Sequence, residues 1–144
     1  MPRAVRRLIV REEDLKKLVD SALRSEVELC GLLLGLFDGE DAVVEALEPL
    51  ENVSASPLRF RARPEDVYRA YVKAEELGLD VVGIYHSHPA PPSPSREDLE
   101  GMERWPLVWL IVSSLDGSAA AFQLVEGEVR GVDLSPSRAR GARG

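Results

Sequence analysis

The stretch that decides the fold is Asp80-Val81-Val82-Gly83-Ile84-Tyr85-His86-Ser87-His88-Pro89. After Asp80, the residues Val81 to Tyr85 form an apolar run, which is typical of a buried strand. Residues two apart on a strand point to the same side, so His86 and His88 can reach one ion. Histidine is the commonest protein ligand for transition metals. The pair therefore indicates a metal site, although a bare pair of this kind is often two polar side chains without a metal.

Asp98, ten residues after His88, is a possible third ligand. Two histidines, one carboxylate and an open fourth position are typical of catalytic zinc. The segment Ser95-Arg96-Glu97-Asp98 is also a capping box, in which Ser95 caps a helix and Asp98 bonds back to the Ser95 amide. We expect these two roles of Asp98 to compete, whereas Ser95 could both cap the helix and face the site.

A zinc hydrolase also needs a base that takes a proton from water. Glu28 immediately precedes the apolar run Leu29-Cys30-Gly31-Leu32-Leu33-Leu34-Gly35. Burial beside that run would raise the pKa of Glu28 toward the strength of a useful base. The alternative, a solvated residue in the loop between a helix and a strand, stays open from these residues alone.

Composition limits the classes of function. With 144 residues and 44% apolar side chains, the chain is expected to form one domain. A net charge of −7 argues against a nucleic-acid partner, because phosphates would be repelled. The apolar runs are too short to span a membrane, so we expect no membrane partner and a cytoplasmic location. Cys30 is the sole cysteine, which excludes an internal disulfide and a nucleobase deaminase pattern with paired cysteines.

The balance of basic and amide residues is unusual. The chain has fifteen Arg against three Lys, with one Asn and one Gln. Hyperthermophile proteins often contain few of the thermolabile residues Asn and Gln, so we expect a heat-stable protein. An Arg excess can equally reflect a GC-rich genome.

Helical and strand patterns alternate along the chain, which predicts an α/β or α+β class with a central mixed, mostly antiparallel sheet flanked by helices. Residues 1–134 are expected to form the domain, and residues 135–144, made only of Arg, Ser, Gly, Pro and Ala, a disordered tail. The predicted helices span 12–25, 64–77 and 95–104. The predicted strands span 8–10, 28–37, 42–47, 58–61, 80–85, 107–112, 119–125 and 129–134.

Three segments taken together resemble the JAMM motif: the run from Glu28 to Gly35, the strand from Val82 to Pro89, and Pro94-Ser95-Arg96-Glu97-Asp98. That family, the catalytic MPN or JAB domains, comprises zinc metallopeptidases. Its members cleave isopeptide or peptide bonds after ubiquitin and ubiquitin-like modifiers. The resemblance runs from the first helix to the last strands, and the lack of long insertions resembles the minimal archaeal or bacterial type.

The resemblance implies a role for each site residue. His86, His88 and Asp98 would bind one Zn²⁺ per chain, with water as the fourth ligand. Glu28 would deprotonate that zinc-bound water for a single-step attack and then protonate the leaving amine, while Ser95 would donate a hydrogen bond to the oxyanion. The family usually places its aspartate eleven residues after the second histidine, whereas the interval here is ten, and the shortening falls in a proline-rich loop.

The substrates implied are conjugates of ubiquitin-like or sulfur-carrier proteins, cleaved after a C-terminal Gly-Gly. Extended tails bind well along a sheet edge, and Arg59 and Arg61 could contact an acidic modifier there. The alternative is an ordinary charged strand surface. A metal-free MPN scaffold that assembles partners is the competing function, and the residues leave the modifier and the oligomeric state open.

Overall fold

The computed structural model describes residues 3–54 and 59–138. Within that part of the chain every helix, and every observed strand, lies within three residues of its predicted bounds. The order is β1 (Arg7–Arg11), α1 (Glu12–Arg24), β2 (Cys30–Asp38), β3 (Asp41–Leu50), α2 (Pro64–Glu76), β4 (Asp80–His88), α3 (Arg96–Arg104), β5 (Val108–Ser113), β6 (Ala119–Val125) and β7 (Glu128–Ser137).

The sheet is mixed, as predicted, but it is closed rather than open. Its strand order is β1-β3-β2-β4-β5-β6-β7, and β7 pairs with β1 to complete the circle. The β1/β3, β1/β7 and β4/β5 pairs are parallel, and the other four pairs are antiparallel. The sequence predicted a mixed sheet flanked by helices but not its closure, which arises because β1 pairs with both β3 and β7. Strand pairing depends on contacts between segments far apart in the sequence, and the pattern within one strand does not indicate them.

The two faces of the sheet build two apolar clusters. Along β2 the side chains alternate, so Leu33 packs with the α1 residues Leu18 and Ala22, whereas Leu32 and Leu34 face the other way. That second cluster includes side chains of α2 and α3: Ala70, Ala74 and Met102. Helices therefore cover both faces. None of the helices within residues 3–54 and 59–138 is long and apolar enough to cross a membrane.

The end of the last strand differs from the prediction. β7 continues to Ser137, because Ser135, Pro136 and Ser137 pair with β1. The tail was predicted to begin at residue 135, and for residues 135–137 that prediction is wrong. A polar, proline-containing segment becomes a strand here because a partner strand lies beside it. Residues 139–144 lie outside the described residues.

The strand predicted at 58–61 is also wrong where it can be compared. Residues 59–61 have no strand assignment, and Leu58 lies outside the described residues. The Asn52 side chain donates to the Arg59 carbonyl and accepts from the Arg61 N–H. A side-chain amide thus bonds to the backbone groups that a neighbouring strand would otherwise engage.

Gly35 is required by a close backbone approach in the β2–β3 hairpin. The register of this hairpin shifts between Leu34 and Gly35. A Cβ atom added at Gly35 would lie 1.9 Å from the carbonyl oxygen of Val43. The same atom added at Gly131, on β7, would meet nothing within 4 Å.

We predict that Gly35→Ala lowers the free energy of unfolding by roughly 1–3 kcal/mol or more, because the backbone must move to admit the methyl group. Gly131→Ala is the matched control and should change it by less than about 0.5 kcal/mol. Urea unfolding of both variants measures the difference. Equal effects of the two substitutions would contradict the close approach.

Candidate active site

The carboxyl end of β4 carries both histidines. His86 and His88 are 1% and 7% exposed, so both side chains are buried at the end of the strand. Ser87, between them, donates its N–H to the Leu29 carbonyl at 3.0 Å, and its Oγ accepts from the Leu29 N–H at 2.9 Å. These two bonds fix the chain immediately before β2, and therefore place Glu28 beside the histidines.

Glu28 is a buried carboxyl group, 5% exposed, so the alternative of a solvated loop residue is wrong. Its Oε1 lies 3.8 Å from Nδ1 of His86. Burial raises the pKa of Glu28 to about 7; the nearby His86 opposes this shift and the Asp98 charge adds to it. The group can therefore exchange a proton near neutral pH, which is what a general base requires.

Asp98 both caps α3 and faces His86. Its Oδ2 accepts from the Ser95 N–H at 2.9 Å, while Ser95 Oγ accepts from the Asp98 N–H at 3.1 Å, which completes the predicted capping box. Its other oxygen, Oδ1, lies 3.0 Å from Nε2 of His86. Capping therefore uses one oxygen and leaves the other facing His86, so the cap does not prevent Asp98 from serving as a ligand. Burial alone would raise the pKa of Asp98, but His86 and the Ser95 bonds together lower it.

Each imidazole places one ring nitrogen against a backbone carbonyl oxygen. Nδ1 of His86 faces the Ser87 carbonyl at 3.3 Å, and Nε2 of His88 faces the Pro91 carbonyl at 2.7 Å. Carbonyl oxygens only accept, so in a neutral ring these nitrogens carry the proton and the opposite ring nitrogen keeps its lone pair. His86 Nε2 is buried and makes no hydrogen bond of acceptable geometry, despite its short distance to Asp98.

This donor set fits a metal ion. One ligand atom from each of His86, His88 and Asp98 can be chosen so that all lie within 4.8 Å of one another. An unpartnered imidazole nitrogen beside a carboxylate oxygen is unfavourable in a buried site unless a cation joins them. Two imidazoles and one carboxylate match the ligand set of catalytic zinc. The shorter loop after His88 still brings Asp98 to the histidines.

The predicted site residues line one cleft of about 570 Å³. Arg59 and Arg61 are on its rim, and Arg59 forms an exposed ion pair with Glu97 at 3.1 Å. An exposed pair of this kind contributes little to stability, so Arg59 remains free to exchange partners. The cleft brings together all of the following: Glu28, Arg59, Arg61, His86, His88, Ser95 and Asp98.

Two aromatic rings that no sequence pattern indicated pack around His86. The Phe60 ring stacks on the His86 ring with centroids 4.7 Å apart and planes at 25°. The Trp109 ring meets His86 edge-on at 5.9 Å and 82°. The alternation around Phe60 predicts a strand, and nothing in the neighbouring sequence indicates that its ring faces a histidine. Cys30 is buried with its pKa raised to about 11, which gives it no role as a nucleophile.

The family described as prokaryotic homologs of the JAB domain matches residues 11–125. The chain belongs to this family. The resemblance to JAMM-type domains is thereby confirmed, and the matched segment contains the five residues predicted for zinc binding and catalysis.

Similar proteins include archaeal and bacterial ones. A desampylase of Pyrococcus furiosus is 43% identical over 107 residues, 74% of each chain. A probable TtuB-protein conjugate cleaving protease of Thermus thermophilus is 39% identical over 97 residues, 66% of this chain and 63% of that one. A solution structure of a Desulfitobacterium hafniense protein superimposes with a TM-score of 0.78 at 28% identity, covering 92% of this chain and 94% of that one.

Because Glu28 is buried, we expect the free energy of unfolding of the metal-free protein to depend on pH. The raised pKa means that the folded state binds a proton more tightly than the unfolded state, so its stabilisation is full at low pH and lost as pH rises through about 7. Glu28→Gln removes this loss. Unfolding of chelator-treated protein should show the variant gaining up to about 3 kcal/mol over wild type between about pH 5 and pH 8. A pH-independent difference would mean that Glu28 is not desolvated.

Proposed function

We propose that this protein is a zinc-dependent isopeptidase that removes ubiquitin-like or sulfur-carrier modifiers from other proteins. The enzyme class expected from the sequence agrees with the names of its relatives, a desampylase and a probable protein-conjugate cleaving protease. The site chemistry, rather than the fold alone, supports the assignment.

One observation carries this proposal: the lone-pair nitrogen of His86 is buried without a hydrogen bond, 3.0 Å from Asp98. A polar group is rarely left in this state unless a ligand completes it. The unpartnered atom lies in the cleft that also contains Glu28 and Ser95. A metal-free scaffold domain would have no need of these buried polar groups.

His86, His88 and Asp98 would hold Zn²⁺. When bound, zinc would supply Lewis-acid chemistry, polarising the scissile carbonyl and acidifying water. Glu28, buried at the same cleft, takes a proton from the attacking water and delivers it to the nitrogen of the leaving amine. Water oxygen bonds to the carbonyl carbon and gives a tetrahedral oxyanion, and the carbon–nitrogen bond breaks when that oxyanion collapses and the amine leaves with its proton. No acyl-enzyme forms, so Cys30 has no part.

Ser95 is placed to assist the oxyanion. Its Oγ uses a lone pair to accept from the Asp98 N–H, so the hydroxyl proton is left to donate into the cleft. A donor of this kind is commonly worth roughly 3 kcal/mol to the transition state of acyl transfer. The capping box thus holds the proposed zinc ligand and the proposed oxyanion donor three residues apart on one helix turn.

The test is zinc content and cleavage, measured together. Purified wild type should hold about one zinc per chain and release a small modifier from a lysine conjugate of the desampylase type. Asp98→Ala should lose both zinc and cleavage. Glu28→Gln should keep zinc but lose cleavage by at least about 100-fold, because only the proton transfer is removed.

Elemental analysis after identical dialysis, followed by a gel assay of conjugate cleavage, separates the outcomes. No zinc in wild type would contradict the metal site and favour the scaffold function. Zinc without cleavage of any ubiquitin-like conjugate would contradict the substrate class only. Full activity of Glu28→Gln would assign the base to another residue.

Arg59 and Arg61 give a second test, directed at the substrate. If an acidic modifier docks on this rim, reversing both charges should raise KM several-fold with little change in kcat, and should weaken the dependence of cleavage on salt. Reversing Lys16 and Lys17 together, two exposed side chains of α1 that do not line the cleft, is the charge-matched control. Unchanged KM and salt dependence in the double variant would mean that Arg59 and Arg61 do not contact the substrate.

The cytoplasmic location and heat stability expected from the sequence stay predictions.

A further inference from the structure

One wall of the metal cleft is built from irregular backbone. Residues 59–63, which we name the strap, precede α2 and are neither helix nor strand. Phe60, in the strap, packs against the second apolar cluster and stacks on His86 at 4.7 Å. A segment without ladder bonds must be held by other contacts if its aromatic ring is to stay on one partner.

Asn52, the only asparagine of the chain, supplies those contacts. Its Nδ2 donates to the carbonyls of Glu28 at 2.8 Å and of Arg59 at 3.0 Å. Its Oδ1 accepts from the N–H groups of Ser54 and Arg61, each at 3.0 Å. Both amide hydrogens and both lone pairs of this side chain are therefore engaged.

The four bonds have a particular arrangement. Two of them hold the residues on either side of Phe60, and a third reaches the backbone of Glu28. A backbone bond from the Val53 N–H to the Arg61 carbonyl, 2.7 Å long, adds to the same junction. One amide thus connects the segment that carries Glu28 with the segment that carries the ring stacked on His86.

We propose that Asn52 is a positioning residue of the metal centre, which acts through the strap by keeping Phe60 stacked on the imidazole of His86. The stacked ring restricts rotation of the imidazole, so its unpartnered Nε2 stays aimed at Asp98. It also covers one face of His86 against water, together with Trp109 at the edge. The inference rests on the proposed zinc-dependent function.

A purely structural role for Asn52 is the alternative, and the chain contains a matched control for it. Gln123, the sole glutamine, is a buried side-chain amide that, like the half-buried Asn52, has backbone partners. It accepts from the Val5 N–H at 2.9 Å and donates to the Arg3 carbonyl at 2.6 Å. Gln123 is not among the residues that line the cleft. Its loss should destabilise the fold without affecting the metal.

The experiment compares Asn52→Ala, Phe60→Ala, the double variant and Gln123→Ala, with the full chain in each case. Zinc affinity is measured by competition with a chromogenic chelator, and unfolding free energy by urea. Asn52→Ala and Phe60→Ala should each weaken zinc binding by about 10- to 100-fold, the usual effect of removing a group that orients a ligand. The double variant should be no weaker than the worse single variant, because both remove the same contact. Gln123→Ala should lose stability while binding zinc like wild type.

Phe60→Leu covers the case in which Asn52→Ala fails to fold. It keeps the apolar volume but not the flat ring, and should also weaken zinc binding. Wild-type zinc affinity in Asn52→Ala or in Phe60→Leu overturns the proposal, and so does additivity in the double variant. Zinc binding without conjugate cleavage by wild type would defeat the proposed function alone. Wild type that binds no zinc would overturn both.

Discussion

The carboxylate of Asp98 joins the helix to the sheet at the centre of the site. One oxygen closes the capping box of α3, and the other faces the buried imidazole of His86 at the end of β4. A helix start is a rigid anchor, because the cap uses backbone groups that would otherwise have no partner. The orientation of the proposed zinc ligand is thus set by the same bonds that begin the helix.

The closed sheet brings distant segments to this anchor. His86 lies opposite Cys30 on β2 and Ile111 on β5, so the chain that carries Glu28 enters beside the histidines. Ser87 lies between the two histidines, and its side-chain oxygen accepts a hydrogen bond from the Leu29 N–H. Burial of this junction removes competing water, which strengthens every polar contact in it and raises the pKa of Glu28.

Around the polar centre lies a shell that holds side chains in place. Phe60 and Trp109 enclose the imidazole of His86, and Asn52 fixes the irregular backbone from which Phe60 projects. The apolar clusters on the two faces of the sheet make the strands rigid. A site built this way leaves its cleft open along the Arg59 and Glu97 side, where the groups are exposed.

The sequence by itself determined the local elements and the identities of the reactive groups. Periodicity located the helices and seven strands, and the His-x-His pair with the Ser-x-x-Asp spacing identified the buried histidines and the capping box. These signals are short in range, since strand alternation and helix capping depend on residues a few positions apart. The same range explains why the resemblance to JAMM domains could be recognised from three short segments.

Tertiary structure alone decided what depends on partners far along the chain. β1 closes the sheet and turns Ser135 to Ser137 into a strand, although their composition indicated a tail. Asn52 replaces a strand partner for residues 59–61, and Asp98 caps α3 with one oxygen while its other oxygen faces His86. Each outcome is set by contacts between residues distant in sequence, whose geometry exists only once the sheet has closed.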